Sequence, residues 1–162
     1  MSGSAENMAS SAYEDPSRRE VVLDLTTASR MLPLVQRIVA DILHSRQLLA
    51  RLLPEQDILD RQRRTLDWPG RQRRYQLQED VSATEQKMQD ALAELEVLGL
   101  ILEDGDSGQI GFPTLVNDSR AYFSWKPGEE GLLFWHFASE AQRRPIPASW
   151  FKASNVRLVG KS

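Results

Sequence analysis

Leu77, Val81, Thr84, Met88, Ala91, Leu95 and Leu98 recur at alternating steps of four and three, with Glu, Gln, Lys and Asp filling positions between them. That spacing returns side chains to one face of a helix and scatters them over both faces of a strand, so the stretch is committed to a helix with a heptad seam. Gly99 follows the last seam residue and suits the left-handed backbone of a helix end. Upstream, Met31, Val35, Ile38, Ile42, Leu49 and Leu52 keep the same rhythm, with Ser45 in the one gap. This first helix is expected to start at a Thr26 cap and run to about Leu53, with a kink near Ser29 because Pro33 removes a backbone donor. Two such helices joined by a polar, Pro-containing connector predict an antiparallel hairpin with its stripes facing each other. A helix of about 27 residues is a rod roughly 40 Å long. One partner covers only part of the apolar face of such a rod, so pairing of two hairpins into a four-helix homodimer is expected.

After Gly99 the period changes from helix to strand. "LILEDGDSGQIGFP" reads as strand, turn and strand; "VNDSR" supplies another turn; "AYFSWK" and "LLFWHF" are joined by "PGEEG". The fold predicted is α+β: a long antiparallel helical hairpin packed on a small antiparallel β-meander of about four strands. Residues 1–19 read as a disordered tail, 20–99 as the hairpin, 100–150 as the meander in one domain with it, and 151–162 as a C-terminal tail. A hydrophobic fraction of 41% over 162 residues suffices for one core. The formal charge of −3 gives no global pull toward nucleic acid or an anionic membrane, so a basic surface must be local. The chain has no Cys, which excludes disulfides, thiol nucleophiles and thiolate metal sites and fits a cytoplasmic location. No segment approaches the roughly 20 apolar residues of a membrane span, so no membrane partner is expected.

"AYFSWKPGEEGLLFWHF", residues 121–137, joins a large aromatic payload to a histidine. With "PGEEG" as the loop, Lys126 pairs with Leu132, Tyr122 with His136 and Phe123 with Trp135. One face then carries Ala121, Phe123, Trp125, Leu133, Trp135 and Phe137, an apolar wall for the helices; the other carries Tyr122, Ser124, Phe134 and His136. His136, Tyr122, Ser124, Glu129 and Lys126 form a candidate polar cluster, in which His136 is either a general base oriented by Tyr122 and Ser124 or a half-buried sheet residue. His44, mid-helix, has no His or acid at the i+4 spacing of a shared metal, and no cofactor is predicted. "GDSGQIG" sits between strands and opens no helix, so it is no phosphate loop.

Between the helices, "RQRR" occurs at Arg61–Arg64 and again at Arg71–Arg74, with Trp68 and Tyr75 interleaved. Arg61, Arg63, Arg64, Arg71, Arg73 and Arg74 beside two aromatics could grip phosphates while stacking bases. Glu55, Asp57, Asp60, Asp67, Glu79 and Asp80 cancel that charge locally, so a solvated hairpin tip with Trp68-Pro69-Gly70 as its turn is the reading preferred over nucleic-acid binding.

"LTTASRMLPLV" and the run from "LEVLGLILEDG" to "AQRRPI" resemble the family of domain of unknown function 2203 over roughly residues 23–146. The resemblance rests on Leu98-Gly99, Phe112-Pro113, Trp125-Lys126 leading to Gly128-Glu129, Trp135-His136 and Arg143-Arg144-Pro145. It implies a small cytoplasmic bacterial protein with a helical hairpin, a compact sheet and no established activity. Phe137 stands where the family pattern has an acid after the histidine, and the glycines before Arg-Arg-Pro are missing. The function expected is a noncatalytic interaction or scaffold module self-associating through the hairpin. Nucleic-acid or phosphate binding at the Arg-rich tip and an enzyme centred on His136 are the alternatives.

Overall fold

The computed structural model describes residues 21–151. The tail expected over 1–19 and all but the first residue of the one expected over 151–162 lie outside them. Helix α1 spans Leu25–Arg61 and helix α2 Trp68–Val97. Strands β1 (Ile101–Asp104), β2 (Gln109–Val116), β3 (Ser119–Trp125), β4 (Phe134–Phe137) and β5 (Arg144–Pro145) follow in a single antiparallel sheet whose spatial order is the chain order. The α+β meander is as expected, with a fifth, two-residue strand at its edge.

The helix ends differ from expectation for a local reason. Asp24, not Thr26, caps α1: its carboxylate accepts the Thr27 amide at 2.7 Å. The helix continues through Pro33 and Pro54 to Arg61, because seam packing and the good helix formers around each proline outweigh one lost backbone bond. Asp67 caps α2 by accepting from the Gly70 amide at 2.9 Å. Trp68-Pro69-Gly70 is therefore the first turn of a helix rather than a loop, and Pro69 lies where a missing N–H costs nothing. The connector is residues 62–67.

The expected seam is used within the chain. Val35, Ile38, Ile42, Ser45 and Leu49 of α1 are buried, as are Leu77, Val81, Thr84, Ala91 and Leu95 of α2. A second stripe on α1, Leu25, Leu32 and Val39, lies under the sheet, whose inner face supplies Ile110, Phe112, Ala121, Phe123, Trp125 and Trp135 to the same core. That core ends at Ile42 on α1 and Ala91 on α2. Just beyond, Arg46 bonds Asp106 of the β1–β2 turn at 2.6 Å, and Ala50 and Leu53 are exposed. From Arg46 to Arg61 the hairpin thus continues past the sheet as a two-helix arm, roughly 20 Å at 1.5 Å per residue.

The aromatic hairpin has the expected register, with Tyr122 opposite His136 and Phe123 opposite Trp135. Leu133 is a correction: it is 46% exposed, whereas Leu132 is 3% exposed in the core. Strand β3 stops at Trp125 and β4 begins only at Phe134, so Lys126 and Leu132 do not pair and the period of two fails between the strands. Asn117 and Asp118, both at positive φ (51° and 64°), make the tight β2–β3 turn.

Candidate functional site

The outward face of the sheet carries a polar network that sequence periodicity locates only in part. His136 on β4 holds Glu103 through Nε2, 2.7 Å from Oε1, and the Phe137 carbonyl through Nδ1 at 2.8 Å. Both ring nitrogens face acceptors. A carbonyl only accepts, so Nδ1–H donates to it, and Nε2 faces the Glu103 carboxyl. Tyr122 meets His136 ring to ring, centroids 5.6 Å apart and planes tilted by 37°, rather than through its hydroxyl. Gln109 Nε2 donates to the other Glu103 oxygen, and Ser124 Oγ lies 3.4 Å from it.

Ser124 joins this pair to a second one. Its hydroxyl accepts from Arg143 Nε at 2.9 Å and its carbonyl from Nη2 at 2.9 Å, while the same guanidinium grips Glu129 in a fork at 2.9 and 2.6 Å. The Arg143 guanidinium also lies 4.3 Å over the Phe134 ring. Glu129 in turn accepts the Lys126 amide at 2.8 Å, and its own carbonyl accepts Trp125 Nε1–H at 3.1 Å. Burial alone would raise the Glu129 carboxyl; the Arg143 hydrogen bonds, the Lys126 amide and the positive charges of both residues outweigh it and hold the group below its ordinary range.

Of the expected cluster, His136, Tyr122, Ser124, Glu129 and Lys126 do share one face. Glu129 serves Arg143 rather than His136, Ser124 bonds Arg143 rather than the imidazole, and Lys126 contributes its backbone. The histidine's carboxylate is Glu103 on β1, three strands away across β2 and β3. The β1–β2 register shifts between Leu102 and Asp104, a bulge that re-aims Glu103 across the sheet. Gly111 on β2, the nearer of the two intervening strands, leaves the gap it crosses: a Cβ there would overlap Glu103 Oε1 and lie 3.1 Å from Tyr122 Cδ1. A glycine at an outward strand position was the one available signal. Chemically, the arrangement is a clasp. It ties β1, β3, β4, the 126–133 loop and the segment carrying Arg143 together, with both imidazole nitrogens and the serine hydroxyl engaged. Among the described residues, no group of three or more His, Cys, Asp or Glu is placed to hold a metal ion.

The arginines divide in two. Arg73 forks onto Glu55 at 2.8 and 2.9 Å and Arg74 bonds Asp60 at 2.7 Å, both fastening α2 to α1, while Arg61 pairs with Asp57 at 2.9 Å within α1. Arg63, Arg64 and Arg71 pair with no carboxylate among the described residues. Trp68 and Tyr75, 68% and 70% exposed, lie about half a turn from Leu77 on α2, pointing away from the seam. A shallow groove along this face is lined by Trp68, Arg71, Gln72, Tyr75, Gln76 and Glu79 among others.

The family whose model matches residues 22–146 is described as "Uncharacterized conserved protein (DUF2203)", and the chain belongs to it. No curated protein and no solved structure matches it. Among the described residues no helix is long and apolar enough to cross a membrane.

Proposed function

We propose that this DUF2203 member is a noncatalytic protein-interaction module that self-associates through the outward face of its helical arm. The observation that carries the reading is the pair Trp68 and Tyr75. Two large aromatics stand one heptad apart on the solvent side of a helix whose own seam is already filled. Exposed aromatic rings at helical spacing are what a partner helix covers, and their burial drives association. The His136 face argues for a rigid base rather than a reactive pocket, since its acids and cations are spent on one another. The test is sedimentation of the full chain over a wide concentration range, alone and as Trp68→Ala/Tyr75→Ala. A reversible dimer weakened by that double change supports the reading. Association untouched by it removes the arm as the surface.

The Arg-rich end supports a second reading, nucleic-acid or phosphate binding, because Arg63, Arg64 and Arg71 pair with no carboxylate among the described residues and Arg71 lines a groove with Trp68. It requires salt-sensitive binding of an oligonucleotide pool that Arg63→Gln and Arg64→Gln weaken stepwise. Absence of binding at low salt rejects it.

A further inference from the structure

The arm face is not only aromatic; its charges are arranged about a centre. Arg71 lies four residues before Tyr75 and Glu79 four residues after it, on neighbouring rows of α2 that flank the exposed ring. Neither side chain has an ion pair or hydrogen bond with any described residue. We propose that two copies of this chain pair antiparallel along α2, with the two-fold axis at Tyr75 and Arg71 of each copy against Glu79 of the other. This rests on the self-association reading and specifies its partner and register.

Charge selects this register among the alternatives. A two-fold contact is self-complementary, so residues equally far before and after the axis meet. With the axis at Tyr75, opposite charges meet twice, and Trp68 faces Ser82, whose small side chain leaves room for the indole. Sliding the helices to stack Trp68 on Tyr75 moves the axis between Arg71 and Gln72 and sets the two Arg71 guanidiniums side by side. Parallel pairing places Arg71 on Arg71 and Glu79 on Glu79. Like charges opposed in this way select against both. A polyanion is a poorer occupant, because Glu79 sits on the same face as Arg71. From Tyr75 to Ala91, where α2 enters the sheet core, is roughly 24 Å of helix. The pairing therefore holds two sheet bases roughly 50 Å apart, at opposite ends of one rod.

Charge reversal tests the register on the full chain. Arg71→Glu and Glu79→Arg should each raise the dimer dissociation constant about tenfold, and the double reversal should return it to within about threefold of wild type, as coupled rim charges do. Far-UV circular dichroism confirms that each variant keeps its helices. Because the chain has no Cys, Tyr75→Cys should crosslink across the axis under mild oxidation while Gln86→Cys should not. A dimer weakened by Trp68→Ala/Tyr75→Ala but not rescued by the double reversal overturns the register and leaves the arm reading standing; so does equal crosslinking at both cysteines. A wild-type monomer at every concentration overturns both.

Discussion

Replacing Arg143 with Met keeps an apolar stem over Phe134 and deletes a guanidinium that makes four hydrogen bonds, two to Glu129 and two to Ser124. Removing one partner of a fully buried ion pair costs about 3–5 kcal/mol, because the other charge stays desolvated. Here Arg143 and Glu129 are 16% and 18% exposed, and the Lys126 amide still serves Glu129, so water and that amide recover part of the loss. We expect a destabilisation of about 2–3 kcal/mol, read from urea midpoints by tryptophan fluorescence. Arg143→Met/Glu129→Met should be less destabilised than the sum of the two single changes, by about 1–2 kcal/mol, since the second substitution removes the stranded charge. Acid titration supplies an independent readout. The folded Glu129 carboxyl is held below its ordinary value of 4.5, so between the two values the unfolded chain binds the extra proton. This contribution to stability is complete above about 4.5 and is lost as pH falls through the lower folded value; Arg143→Met should flatten that acid limb. A loss under about 1 kcal/mol, the value of a surface pair, or strict additivity in the double variant would refute the clasp.

Gly111→Ala should destabilise by about 1–3 kcal/mol, because the new methyl displaces Glu103 from His136; unchanged imidazole nitrogen resonances and native stability would contradict this. Ser45→Ala should stabilise by about 1 kcal/mol, since Ser45 Oγ is buried in the seam without a hydrogen-bond partner among the described residues; an unchanged or lowered urea midpoint would show that the hydroxyl is satisfied after all.

Legibility in the sequence followed periodicity. The heptad seam, the strand alternation and the pairing of Tyr122 with His136 were readable because each depends on a repeat of 3.5 or 2 and on a short loop. The helix ends depart from expectation because Asp24 rather than Thr26 caps α1, and because α1 runs on past Leu53 through Pro54 to Arg61. Leu132 took the core place assigned to Leu133 because the 126–133 connector is not a strand, and Glu129 there is tied to Arg143 and the Lys126 amide.

Local order alone therefore settled the hairpin, the meander and the side of the sheet that turns to the helices, since neighbours three, four or two apart in the chain meet whatever else the chain does. Which carboxylate meets His136, which arginines stay unmatched and how far the arm outruns the sheet depend on groups many residues apart. A bulge at Glu103, a gap at Gly111 and the stopping point of the core at Ile42 and Ala91 decide them, and none of these has a repeating pattern to announce it.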